Sequence, residues 1–222
     1  MGIHTIAFDL DGTITDSGPG ILNSINYALE KSGRQREDTE KLKCFIGPPL
    51  AGQFEKFCNI TREESLQMVQ YYREYYSVKG IFENRVYEGM EKVFQSLIEH
   101  DFRLVIATSK PEHFAKIIAK HFGFDKYFAF IGGALLDEGR TDKTEVIEYV
   151  LEHFQIRDRK EILMVGDRSY DMIGAAQTGV HSLGVLYGYG SREELEEAKA
   201  ERLVSVPEEI ASVIIKNAEN WI

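Results

Sequence analysis

Cysteine is scarce in this chain. Only Cys44 and Cys58 occur in 222 residues, with neither CxxC spacing nor a His-rich neighbourhood. That pattern argues against a zinc site and leaves two free thiols, as expected in a reducing compartment. No apolar run approaches the length of a membrane span. Met1-Gly2-Ile3-His4 leads directly into a strand-forming run that Asp9 and Asp11 interrupt, so the segment does not read as a signal peptide and the expected location is the cytoplasm. Positive charge is also in deficit: 26 Lys and Arg against 36 Asp and Glu give a formal net charge of −10. Such a balance argues against a nucleic-acid-binding surface. It is compatible with a small phosphorylated substrate, because a bound cation and a few local Lys or Arg reverse the field inside one cleft. Internal repeats and low-complexity tracts are absent.

What is present is an alternation of short apolar runs with helical patterns. Residues 5–10, 103–108, 128–131, 162–166 and 181–185 read as buried parallel strands, each flanked by turn residues. Between them, residues 91–100, 111–122, 143–154 and 170–178 carry helical spacing. The second of these helices has Ser109 as a candidate N-cap and Gly123 just past its end. This order predicts an α/β fold with a Rossmann-like parallel sheet. Residues 17–84 interrupt it with helical patterns at 19–32, 50–58 and 61–78, the last opened by the capping-box sequence Thr61-Arg62-Glu63-Glu64. The expected organisation is therefore a core of residues 1–16 and 85–222 with a small all-helical insert at 17–84. Ser191 and Pro207 open two further helices near the C-terminus.

The segment with the most chemistry is Asp9-Leu10-Asp11-Gly12-Thr13. Two carboxylates lie two residues apart where a buried strand opens into a glycine turn, and in a strict strand such residues share a face. Unpaired buried carboxylates are costly, so the pair calls for a cation, a proton or both. Three more polar groups lie at or after strand ends: Thr108 with Ser109, Lys143, and Gly166-Asp167-Arg168-Ser169-Tyr170-Asp171. Ligands of open parallel sheets bind in the crevice outside the carboxyl ends of the strands. If the strands are neighbours, these groups converge on one site.

Taken in order, Asp-x-Asp-Gly-Thr, Thr108, Lys143 and Gly-Asp-x-x-x-Asp resemble the four motifs of the haloacid dehalogenase-like phosphohydrolase superfamily, in its phosphoglycolate phosphatase-like branch. The helical insert resembles that family's small cap domain. The resemblance implies a Mg²⁺-dependent phosphomonoester hydrolase acting on a small phosphate ester, with phosphoglycolate-like acids and nucleoside 5′-monophosphates as substrate classes. Its implied nucleophile is Asp9, forming an aspartyl-phosphate. Asp11 is the implied general acid and base. Lys143 is expected to neutralise charge on the nucleophile and phosphoryl group, and Thr108, with Ser109, to hold phosphoryl oxygens. Mg²⁺ is expected on Asp9, Asp167 and the main-chain carbonyl of Asp11, with Asp171 supporting the metal or orienting Lys143.

For Lys43 two roles stand side by side, contact with a substrate anion and a solvated loop lysine. Arg168 likewise either contacts phosphate or salt-bridges a neighbour. Tyr71, Tyr72, Tyr75 and Tyr76 read mainly as a packed helix face. A closing cap, hinged near residues 16–18 and 84–88, would exclude water from the site. Alternatives to the hydrolase are a hexose phosphomutase similar to β-phosphoglucomutase and a non-enzymatic receiver-like phosphoacceptor.

Overall fold

Thr5, Ile6, Ala7 and Phe8 are all buried, and they form the strand β1 (Thr5–Phe8) that lies inside a six-stranded sheet. A computed structural model describes residues 2–136, 139–140 and 142–221. After β1 the chain passes through the two-residue β2 (Thr15–Asp16) into α1 (Gly18–Lys31), α2 (Thr39–Leu42), α3 (Leu50–Cys58) and α4 (Arg62–Tyr76), and returns by β3 (Arg85–Val86). It then alternates: α5 (Met90–Glu99), β4 (Arg103–Pro111), α6 (Glu112–Phe122), β5 (Phe130–Ala134), α7 (Lys143–His153), β6 (Ile162–Gly166), α8 (Ser169–Thr178), β7 (His181–Val185), α9 (Arg192–Glu197), β8 (Arg202–Val204) and α10 (Pro207–Asn217). Two units result, Met1–Thr15 with Val86–Ile222, and Asp16–Arg85.

The first unit is an α/β fold. Its sheet has the order β5-β4-β1-β6-β7-β8, and every pairing in it is parallel. Strand order therefore runs outward in both directions from β1, with β4 and β6 as its immediate neighbours. Register places Phe8 beside both Ile106 and Val165. Phe8, the last residue of β1, thus lies level with Ile106 inside β4 and with Val165 one residue before the end of β6, and the side chains that follow share one sheet edge. Alternation along β1 splits its side chains between two faces. Ala7 joins Val105, Ala107, Val146, Ile147, Met164 and Ala175 in one apolar layer. Phe8 packs edge-on against Phe94 at 5.7 Å and Phe128 at 6.2 Å between ring centroids.

The second unit is helical. Both halves of the capping box at Thr61 and Glu64 form. Tyr72 and Tyr76, four residues apart on α4, are buried and stack at 5.2 Å. Half of the tyrosine stripe is thus a packed helix face.

Several elements differ from their sequence expectation. β1 stops at Phe8 rather than residue 10, because the main chain turns: the N–H groups of Thr13, Ile14 and Thr15 all donate to the carbonyl of Leu10. β4 continues to Pro111, past the expected end at Thr108. A residue that precedes proline is held in extended conformation, so Lys110 stays in the strand. As a consequence Ser109 lies inside β4 and does not cap a helix; Pro111 is the N-cap of α6, without a side-chain cap bond. β5 is displaced to Phe130–Ala134 and includes Gly132 and Gly133. A side chain at Gly133 would press on the Lys110 carbonyl and on Glu112, which is why a residue that weakens strands in isolation is used there. The three-residue β8 is too short to show alternation in the sequence. Among the described residues no helix is long and apolar enough to cross a membrane.

Candidate active site

The chain leaves β1 through a turn that demands glycine. Gly12 has φ +87°, in the left-handed region that other residues rarely adopt. Its N–H donates to the Thr15 carbonyl at 2.8 Å. Asp9 stays tied to the sheet, its N–H donating to the Val165 carbonyl at 2.9 Å. Asp9 is buried at the end of the sheet's inner strand. β6 ends one strand away, and Asp167 follows it, fully buried. Asp171 lies on the first turn of α8, where its Oδ2 accepts from the Arg168 N–H at 3.1 Å and so caps its own helix.

These three aspartates meet. Asp9, Asp167 and Asp171 each present a carboxylate oxygen within 4.8 Å of the other two. Lys143, at the start of α7, reaches into the same group from the far side of the sequence. Its Nζ lies 2.8 Å from Asp9 Oδ1 and 2.8 Å from Asp171 Oδ1, and donates to the Ala107 carbonyl at 3.0 Å. Gly174 on α8 makes room for the lysine stem, since a Cβ there would come 2.8 Å from Lys143 Cγ.

One ammonium does not balance three buried carboxylates, and the acid–base behaviour reflects this. Burial raises Asp167 well above the usual carboxylate range, and the charges of Asp171 and Asp9 raise it further; the Tyr189 N–H and Arg168 only partly oppose them. Burial also raises Asp171, to about 6, against the opposing pull of Lys143. Burial works to lower Lys143, but the charges of Asp171 and Asp9 outweigh it and raise the lysine above its ordinary value. The lysine is therefore charged at every working pH. Oδ1 of Asp9 and Oδ1 of Asp171, although ion-paired, have no aligned hydrogen-bond donor. Uncompensated negative charge and under-satisfied carboxylate oxygens are what a hard divalent cation requires. The residues present fit Mg²⁺.

A pH dependence of stability follows. Asp167 and Asp171 are raised in the folded state, so above the ordinary carboxylate range the unfolded chain binds fewer protons than the folded one. Stability then falls with rising pH, for Asp171 through about pH 6. Lys143 adds no slope there, because it is protonated in both states. The melting temperature of metal-free protein is expected to drop between pH 5 and 7, and Mg²⁺, which competes with those protons, to remove most of the drop. Thermal melts at the two pH values with EDTA or Mg²⁺ test this; a metal-free curve that is flat or rises contradicts it.

The remaining predicted residues fall as follows. Asp11, half-buried after the turn, takes Lys110 Nζ on both oxygens, at 2.9 and 2.7 Å. Thr108 is buried and its hydroxyl accepts from the Lys110 N–H at 3.2 Å, which leaves its proton to donate. Arg168 Nε pairs with Glu194 at 2.9 Å, and Glu194 also accepts from the Ser169 N–H at 2.8 Å. Of the two roles open to Arg168, the salt bridge is formed. Lys43 belongs to the helical unit and pairs with Glu40 at 2.8 Å.

The sequence gives Thr13 a place in the first motif but no role, and does not single out Lys110 or the loop of residues 187–190. A signal for Lys110 existed: it lies two residues beyond Thr108 and before a proline, hence on the same side of an extended strand. Thr13 Oγ1 donates to Asp167 Oδ1 at 3.2 Å. Tyr189 N–H donates to Asp167 Oδ2 at 2.8 Å. Neither contact has any trace in local pattern.

Comparison with known proteins places this arrangement in context. The family model described as haloacid dehalogenase-like hydrolase matches residues 6–185. A 5′-nucleotidase of Pseudomonas aeruginosa is 42% identical over 190 residues, covering 86% of each chain. The tyrosine-protein kinase PtkA of Mycobacterium tuberculosis is 34% identical over 193 residues, covering 86% of this chain and 65% of the relative. Among solved structures, that of a predicted phosphatase from Clostridium acetobutylicum superposes with a TM-score of 0.93 at 42% identity, covering 97% of this chain and 100% of that one.

Proposed function

Because the chain belongs to the haloacid dehalogenase-like hydrolase family, we propose that it is a Mg²⁺-dependent phosphatase that removes phosphate from nucleoside 5′-monophosphates through an aspartyl-phosphate on Asp9. The observation that carries the chemistry is the convergence of Asp9, Asp167 and Asp171 within 4.8 Å of one another, with Lys143 2.8 Å from two of them. The choice of 5′-nucleotides over phosphoglycolate-like acids rests on the 42% identity to a relative that bears the 5′-nucleotidase name.

In this reading Asp9 attacks phosphorus, and the bond to the ester oxygen breaks. Asp11 gives the leaving oxygen its proton, and then takes a proton from the water that hydrolyses the aspartyl-phosphate. Thr108 donates its hydroxyl proton to a phosphoryl oxygen. Lys143, 2.8 Å from Asp9 Oδ1, holds that carboxylate in place before attack and offsets charge on the phosphoryl group during it. Asp9 and Asp167 would hold Mg²⁺ together with the Asp11 carbonyl, while Asp171 orients Lys143. When bound, the ion offsets the repulsion between the phosphate dianion and the aspartates. Two carboxylate ligands completed by water and phosphate oxygens suit Mg²⁺.

The test is turnover by purified protein of a panel of nucleoside 5′-monophosphates, phosphoglycolate and a hexose phosphate, with Mg²⁺ and with excess EDTA. Expected is a kcat/KM for at least one nucleotide tenfold or more above the other esters, and no turnover under EDTA until Mg²⁺ is restored. A tenfold preference for phosphoglycolate overturns the substrate class. Undiminished turnover in EDTA overturns the metal dependence.

A further inference from the structure

Asp167 is gripped from a loop that none of the four sequence motifs contains. Beyond β7 the chain runs Leu186-Tyr187-Gly188-Tyr189-Gly190, and the Leu186 N–H donates to the Val204 carbonyl at 2.9 Å, which keeps the loop's start in the sheet. From there the loop folds back on the carboxylate. Tyr189 N–H donates to Asp167 Oδ2 at 2.8 Å. Thr13, from the turn after β1, donates to Asp167 Oδ1 at 3.2 Å. The loop and the turn are themselves tied, since Tyr187 Oη donates to the Thr13 carbonyl at 2.8 Å and its ring packs on Tyr87 at 4.9 Å. Burial raises the Tyr187 phenol well above its ordinary value, so it stays a donor.

Steric limits agree with the hydrogen bonds. A Cβ at Gly12 would overlap the Asp167 carboxylate, and a Cβ at Gly188 would overlap both Asp167 and the Gly12 carbonyl. Gly190 lies against the Asp167 carbonyl just as closely. The carboxylate is therefore enclosed between two stretches of bare backbone, with one donor on each oxygen and a lone pair left on each for a cation.

We infer that residues 187–190, acting with Thr13, form a positioning element that fixes the orientation of Asp167 and thereby sets the affinity of the site for Mg²⁺. The inference rests on the reading of Asp167 as a metal ligand and adds to it a loop that contains none of the residues assigned as ligands and acts on Asp167 through hydrogen bonds and close packing. Outer-shell partners of metal ligands commonly govern affinity by about 10–100-fold. Here the partner is chiefly a main-chain N–H, so the sequence requirement falls on the glycines and on the Tyr187 hydroxyl.

The experiment compares wild type, Tyr187→Phe, Gly188→Ala and Asp167→Asn by calorimetric titration with MgCl₂ and by the rise in melting temperature with MgCl₂, neither of which reads turnover. Gly188→Ala is expected to weaken Mg²⁺ binding by about 10–100-fold. Tyr187→Phe is expected to weaken it at least threefold, with a smaller Mg²⁺-induced rise in melting temperature. Tyr187→Phe decides the matter if Gly188→Ala does not fold. Wild-type Mg²⁺ affinity in Tyr187→Phe overturns the inference, as does a melting temperature lowered equally with and without Mg²⁺. Wild-type affinity in Asp167→Asn instead overturns the reading of Asp167 as a ligand, so the two failures are distinct.

Discussion

Asp9→Asn is expected to lose turnover by on the order of 10⁴–10⁶-fold while the fold stays intact. An amide is a poor nucleophile, because its nitrogen lone pair is delocalised and its oxygen carries no charge to donate to phosphorus. Its volume matches the carboxylate, so packing at the end of β1 is preserved. Lys143 would keep Asp171 at 2.8 Å and the Ala107 carbonyl at 3.0 Å. Removing the Asp9 charge also removes one of the repulsions that raise Asp167 and Asp171, so the metal-free variant should melt no lower than wild type. Steady-state rates with a 5′-nucleotide, paired with a thermal melt, check both halves. A folded variant that retains phosphatase activity is incompatible with Asp9 as nucleophile.

Lys143→Met should have the largest effect on stability. The lysine is the one cation in contact with both Asp9 and Asp171 among the described ion pairs. Replacing it with an apolar chain of similar length leaves three buried carboxylates facing one another. Breaking a buried pair by removing one partner typically destabilises by about 3–5 kcal/mol. For a chain of this size each kcal/mol lowers the melting temperature by about 2–4 °C, so a drop of roughly 6–20 °C is expected in metal-free buffer. Excess Mg²⁺ should recover part of it, because the ion supplies the missing positive charge. Activity should also fall by about 10²–10³-fold through loss of charge at the reacting centre. A metal-free melt that matches wild type would show that the three carboxylates do not depend on the lysine, and the electrostatic account of the site would fail.

The site was legible where chemistry is written into contiguous residues. Asp9, Asp11 and Gly12 announce a turn with two acids, and Asp167 and Asp171 share a strand-to-helix junction. Lys143 is a different case: nothing near it in sequence says that its stem passes Gly174 or that its ammonium meets Asp9. The family resemblance supplied it. Lys110 is hidden in the sequence because Ser109 resembles an N-cap, which would end the strand at Thr108, three residues short of Pro111.

Local sequence by itself determined the alternation of the longer strands and helices, the helical interruption after the first strand, and the chemical types gathered at strand ends. These depend on side-chain periodicity, on proline and glycine conformation, and on residues adjacent along the chain. Tertiary structure alone decided that β1 lies between β4 and β6, that two of the three clustered aspartates share one ammonium, and that a loop after β7 closes over Asp167. Those outcomes depend on strand register and on main-chain N–H groups, which every non-proline residue carries alike; only the folded chain selects which N–H faces which carboxylate.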